Sequence, residues 1–106
     1  MKMNLRAVVE QRDELIGRVL TTRTRKKEFL VVAISERGIS VRPQGSKSVS
    51  DRPIRALEID LMGAKWSEFK AGSITRSELA NGSPQIFNTS YIESVFNAIE
   101  DMTGHP

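Results

Sequence analysis

Cysteine is absent from this 106-residue chain. That excludes a disulfide framework, a thiolate zinc site and a cysteine nucleophile, and it fits a reducing compartment. Histidine occurs once, at His105, next to the end of the chain. A Ser-His-Asp arrangement would depend on that residue, and general-base chemistry needs a held geometry. No apolar run approaches the ~20 residues of a membrane span, and residues 1–11 lack the apolar core of a signal peptide. Glu10, Asp13 and Glu14 spread around a helix face without a His or Cys at metal-ligand spacing. Gly45-Ser-Lys-Ser lacks the earlier glycine of a phosphate loop, since position 40 is Ser. The expectation is a cytoplasmic, non-catalytic protein with no metal, no cofactor and no membrane partner.

The length fits one domain, residues 1–106, able to bury about two thirds of its unfolded surface. The net charge of +3 hides a division. Residues 1–55 hold 13 Lys/Arg against 6 Asp/Glu (+7), and residues 56–106 hold 3 against 7 (−4). A basic half suits a polyanion or an acidic protein surface. An acidic half means that any nucleic-acid site is one-sided.

Leu5, Val8, Val9, Arg12, Leu15 and Ile16 recur at three- and four-residue spacing, which predicts a helix over 3–16. Gly17 stands where a left-handed C-terminal cap belongs. Between 18 and 42, three short strands joined by turns predict an antiparallel meander, with the apolar 28–35 run in the middle. A polar loop from 43 to 51 follows, with Asp51 or Ser50 as a helix cap and Pro53 in the first helical turn. Ile54, Leu57, Leu61, Met62, Lys65, Trp66 and Phe69 form a stripe that predicts a helix over 53–70 and a buried Trp66. Thr75-x-x-Glu78 has capping-box spacing, and Ser90-x-x-Glu93 repeats it before a longer amphipathic helix, for which Asn88 and Thr89 are alternative caps. Asn81-Gly82-Ser83-Pro84 separates those two helices with turn-favouring residues. The fold class expected is α+β: an N-terminal helix, a three-stranded antiparallel meander, then a tri-helical unit over 53–102 laid out like a helix-turn-helix.

Two groups of residues carry a binding reading. Arg23, Arg25, Lys26 and Lys27 lie at or beside a hairpin tip, and clustered cations displace counterions from phosphates. Arg37, Arg42, Lys47, Arg52 and Arg55 are candidates to extend that patch. Asn88, Thr89 and Ser90 stand at the start of the last helix, where free amides attract phosphate and Asn can pair with adenine. Arg76 adds a cation at the start of the short helix. Ile92, Val95, Phe96, Ile99 and Met102 face the core, which leaves Glu93, Ser94, Asn97 and Glu100 on the polar side. Tyr91 fits either the core or the mouth of the site.

The strands followed by a capped tri-helical end, over about residues 54–102, resemble winged helix-turn-helix DNA-binding domains. Gly17-Arg-x-Leu-x-Thr, Phe29-x-Val and Ser90-Tyr-Ile-x-x-Val-x-x-Ala-Ile are similar to small domains attached to bacterial restriction endonucleases and phage-related proteins. The resemblance implies double-stranded DNA as the partner, with the basic hairpin on phosphates and the last helix's N-terminus near bases. In winged domains, however, the wing follows the recognition helix, whereas here the strands precede it. The alternative is a protein partner: a small, phage-derived inhibitor or adaptor that docks on a larger nucleic-acid-processing complex.

Overall fold

A computed structural model describes residues 3–23, 25–44, 50–81 and 88–104. In place of one helix over 3–16 the chain makes two, α1 (Leu5–Glu10) and α2 (Arg12–Leu15). The Asn4 side chain caps α1, accepting from the Ala7 amide at 2.9 Å. Gln11 then leaves helical geometry, at φ −103° and ψ 13°. Apolar spacing alone does not separate one straight helix from two, because Val8 and Leu15 are buried either way.

The sheet has four strands: β1 (Val19–Thr21), β2 (Glu28–Ser35), β3 (Gly38–Pro43) and β4 (Arg52–Arg55), antiparallel and in chain order. The fourth strand corrects the expected count of three and the expected helix start at 53. Pro53 suits a first helical turn and an edge strand alike, because neither needs its missing amide hydrogen. Burial decides between them. Pairing Ile54 with Ile39 puts both side chains in the core. The α-helix α3 (Ala56–Lys70) starts only after that pair is made.

Leu20, Phe29, Val31, Ile34, Ile39, Val41 and Ile54 pack on the helix-covered side of the sheet. Three helices follow in the expected order: α3, α4 (Arg76–Ala80) and α5 (Thr89–Thr103). The buried face of α3 runs through Ile59, Met62, Gly63 and Trp66, with Leu61 and Phe69 at its margin. Leu57, expected on the stripe, is 48% exposed. The strand that delivers the chain into α3 sets the rotation of the helix, and this places Glu58 inward instead. Thr75 and Glu78 form the expected capping box, each side chain bonding the other's amide at 3.2 Å. Among the described residues, no helix is long and apolar enough to cross a membrane.

The β2–β3 hairpin turns through Glu36 and Arg37 and closes at Gly38, which has φ +138°. A Cβ there would collide with the Ile54 backbone oxygen. Gly38→Ala is therefore expected to part β3 from β4, since backbone strain alone costs about 1–3 kcal/mol. The melting temperature should fall by at least about 5 °C. An unchanged melting curve would show that β4 is not fixed to β3 at this point.

Candidate nucleic-acid interface

At the end of the sheet where β1 turns into β2, the chain closes on itself. The Thr22 amide donates to the Lys27 carbonyl at 2.8 Å, and the Lys27 amide donates to Thr22 Oγ1 at 3.0 Å. Thr22 is buried, so it anchors the turn, and Lys26 takes a left-handed conformation at φ 51°. Arg25 and Lys27 then face a cleft of about 780 Å³ that also reaches Arg52, Arg76, Asn88, Thr89, Ser90 and Tyr91. Of the predicted site residues, Arg25, Lys27, Arg76, Asn88, Thr89 and Ser90 are brought together here. Arg23 and Lys26 are exposed but do not line the cleft. No Asp or Glu is among its lining residues that the structure describes.

Arg52 reaches the cleft by strand alternation. Residue 52 pairs with buried Val41 and residue 54 with buried Ile39, so Arg52 and Ile54 share the helix-covered side. Its guanidinium carbon stands 5.7 Å from the Tyr91 ring centroid, a cation–π distance. Tyr91 meets buried Phe29 edge-on, with centroids 4.9 Å apart and planes at 81°. Half-buried, Tyr91 packs against the core and also lines the cleft, so the two places that the sequence leaves open are both occupied. In the sequence Arg52 is one of five candidates to extend the patch. The alternation Arg52-x-Ile54 in a strand was the signal for it. Of the other four, Arg37 and Arg55 line a smaller hollow on the sheet and Lys47 lies outside the described residues. Arg42 donates to Asp51 at 2.7 Å, and that hydrogen bond and charge raise its pKa further above the usual guanidinium range.

The expected Ser90–Glu93 capping box is not formed. Ser90 Oγ accepts from Arg76 Nη2 at 2.8 Å, and Glu93 accepts from Arg76 Nη1 at 2.9 Å. Only 1% of Glu93 is exposed, and a buried carboxylate requires a cation more than a helix end requires a cap. The helix is also not amphipathic in the expected sense. Glu93 and Ser94 are buried, Asn97 and Glu100 are half-buried, and Asp101 is its one exposed residue. Glu93 and Glu100, which their spacing puts on a polar side, are thus largely withdrawn from solvent. What α5 offers outward is its first turn.

Asn88 opens α5 without a side-chain cap. Its Nδ2 instead donates to both oxygens of Glu58, at 3.3 and 3.4 Å. Glu58 also accepts from the Arg55 amide and from Arg55 Nε, at 3.3 and 3.2 Å. This is half of a capping box, as an arginine has no acceptor side with which to return the bond. Two buried carboxylates thus fix the cleft from below. Glu58 ties the start of α5 to the start of α3, and Glu93 ties α5 to α4 through Arg76. The first intrahelical bond of α5 runs from the Ile92 amide to the Asn88 carbonyl. The amides of Thr89, Ser90 and Tyr91 therefore have no backbone partner among the described residues, and they stand beside the cations with the helix dipole behind them.

Compared with family models, with curated proteins and with solved structures, the chain matches none of them.

Proposed function

We propose that this protein is a non-catalytic nucleic-acid-binding module for double-stranded DNA, with the backbone held across the cleft. Arg25, Lys27 and Arg52 neutralise phosphates, and the first turn of α5 stands next to the bases. One observation carries the reading. Cations from the β1–β2 turn, from β4 and from α4, far apart in sequence, converge on one concavity at a helix start without a side-chain cap, with no acidic side chain among its described lining residues. Arg76 is partly neutralised by Glu93, so Arg25, Lys27 and Arg52 remain among the described lining residues to bind phosphate. The body of α5 is buried, so recognition rests on the turn of the helix and not on its length.

The test is fluorescence anisotropy with a labelled duplex at several salt concentrations. Three phosphate contacts predict that log affinity falls with log salt at a slope of about −2.7. Absence of duplex binding even at low salt would reject the proposal and turn attention to an acidic protein surface.

A further inference from the structure

We infer that the cleft receives one unpaired nucleotide, its phosphate on Arg25 and Lys27 and its base against the Tyr91–Arg52 pair. The inference rests on the nucleic-acid reading and specifies what that site holds. Shape comes first. A volume of about 780 Å³ lies within the roughly 300–1,000 Å³ of small-ligand clefts. It is larger than a phosphate alone needs.

The chemistry of the wall points the same way. Bare phosphate wants donors alone, yet two features of this wall are of no use to it. One is Tyr91, half-buried, held edge-on by Phe29 and flanked by the Arg52 guanidinium. Aromatic rings and guanidinium planes are the surfaces on which unpaired bases stack. The other is an acceptor. Glu58 is a carboxylate and can only accept, so Asn88 must turn its Nδ2 toward it. Oδ1 is left over, on a side chain that lines the cleft, with no hydrogen-bond partner among the described residues. An acceptor among cations repels phosphate but suits the N–H edge of a base. The Glu58–Asn88 and Arg76–Ser90 bonds hold these groups in place before any ligand arrives, which lowers the ordering cost of binding.

Anisotropy with three DNA probes of one sequence tests this: a blunt duplex, the same duplex with one extra unpaired nucleotide, and the single strand. Extruding a paired base costs unstacking energy that an unpaired one does not. The bulged duplex is therefore expected to bind about tenfold more tightly than the blunt one, within the range that stacking supplies. A single strand that binds as tightly as the bulged duplex would identify single-stranded DNA as the source. A weaker single strand would identify a nucleotide presented by a duplex.

Tyr91→Leu should remove the bulge preference and leave the salt slope unchanged, whereas Tyr91→Phe should keep both. Because Tyr91 touches the core, a second readout uses the unaltered protein. The fluorescence of 2-aminopurine at the unpaired position should fall as the base stacks. Equal affinity for blunt and bulged duplexes, with salt dependence intact, overturns the inference and leaves duplex binding standing. So does unchanged 2-aminopurine emission at saturation. Failure to bind any probe removes both.

Discussion

Replacing Arg25, Lys27 and Arg52 together by Gln is expected to abolish most of the salt-dependent part of DNA affinity. Each lost phosphate contact removes about 0.9 from the slope of log affinity against log salt, so the plot should flatten by up to about 2.7. Over a fourfold rise in salt the parent would lose about 40-fold in affinity through these three contacts, and the variant almost nothing. Glutamine keeps much of each side chain's stem, and all three positions are exposed, so each change should cost within about 0.5 kcal/mol of stability. Equal melting temperatures would certify the comparison. As a control, replacing Arg23 and Lys26, which lie outside the cleft, should change the slope far less. If that pair matters as much as the triple, the cations act as a diffuse cloud and the cleft is not the site.

The largest effect on stability is expected at Trp66. The side chain is only 4% exposed and packs against Phe96 and Phe69, with ring centroids 5.1 and 5.6 Å away. Lys70 Nζ lies 5.5 Å from its ring centroid. Trp66→Ala empties this space and should cost about 3–5 kcal/mol, a large part of a stability of about 5–15 kcal/mol. One feature works against that cost. Trp66 Nε1 is buried without a hydrogen-bond partner among the described residues, and such a donor carries a penalty of about 1–3 kcal/mol. Alanine removes the penalty with the ring, so the loss should fall toward the lower end of its range. Trp66→Phe removes the stranded donor and keeps most of the packing, so its melting temperature should lie much nearer the parent than that of Trp66→Ala. Equal losses for the two would mean that packing of the ring does not set the cost at this position.

The parts of the fold legible in the sequence are those fixed by neighbours in the chain. The Thr75–Glu78 capping box is one, because both partners lie within one turn. The antiparallel meander of the first half is another, carried by short turns, and Trp66 was readable as core from its place on an apolar stripe. Residues 52–55 and Glu93 were misread because each turned on a contact with something distant. Residues 52–55 form a strand because β3 has a free edge that Ile54 can pair across. Gln11 interrupts a helix that its own spacing would continue. Glu93 looks like a surface acid until Arg76, 17 positions away, is found beside it. The break at 82–87 lies outside the described residues.

The candidate site divides along the same line. From the sequence alone came its ingredients: a basic first half, a cationic hairpin turn, and small polar residues opening the last helix. Charge and capping preference are properties of residues and short windows, so they survive without coordinates. Only the tertiary structure decided which of the cations face one another. It selected Arg25 and Lys27 over Arg23 and Lys26 by closing the turn through Thr22. It brought in Arg52 by strand alternation and Tyr91 by packing it on Phe29. It also withdrew the body of α5 into the core, where seven of its residues are buried, and left the first turn as its contribution to the cleft. The reason is physical. Which side chains meet is set by the burial of apolar surface across the whole chain, and that optimum is not contained in any one segment.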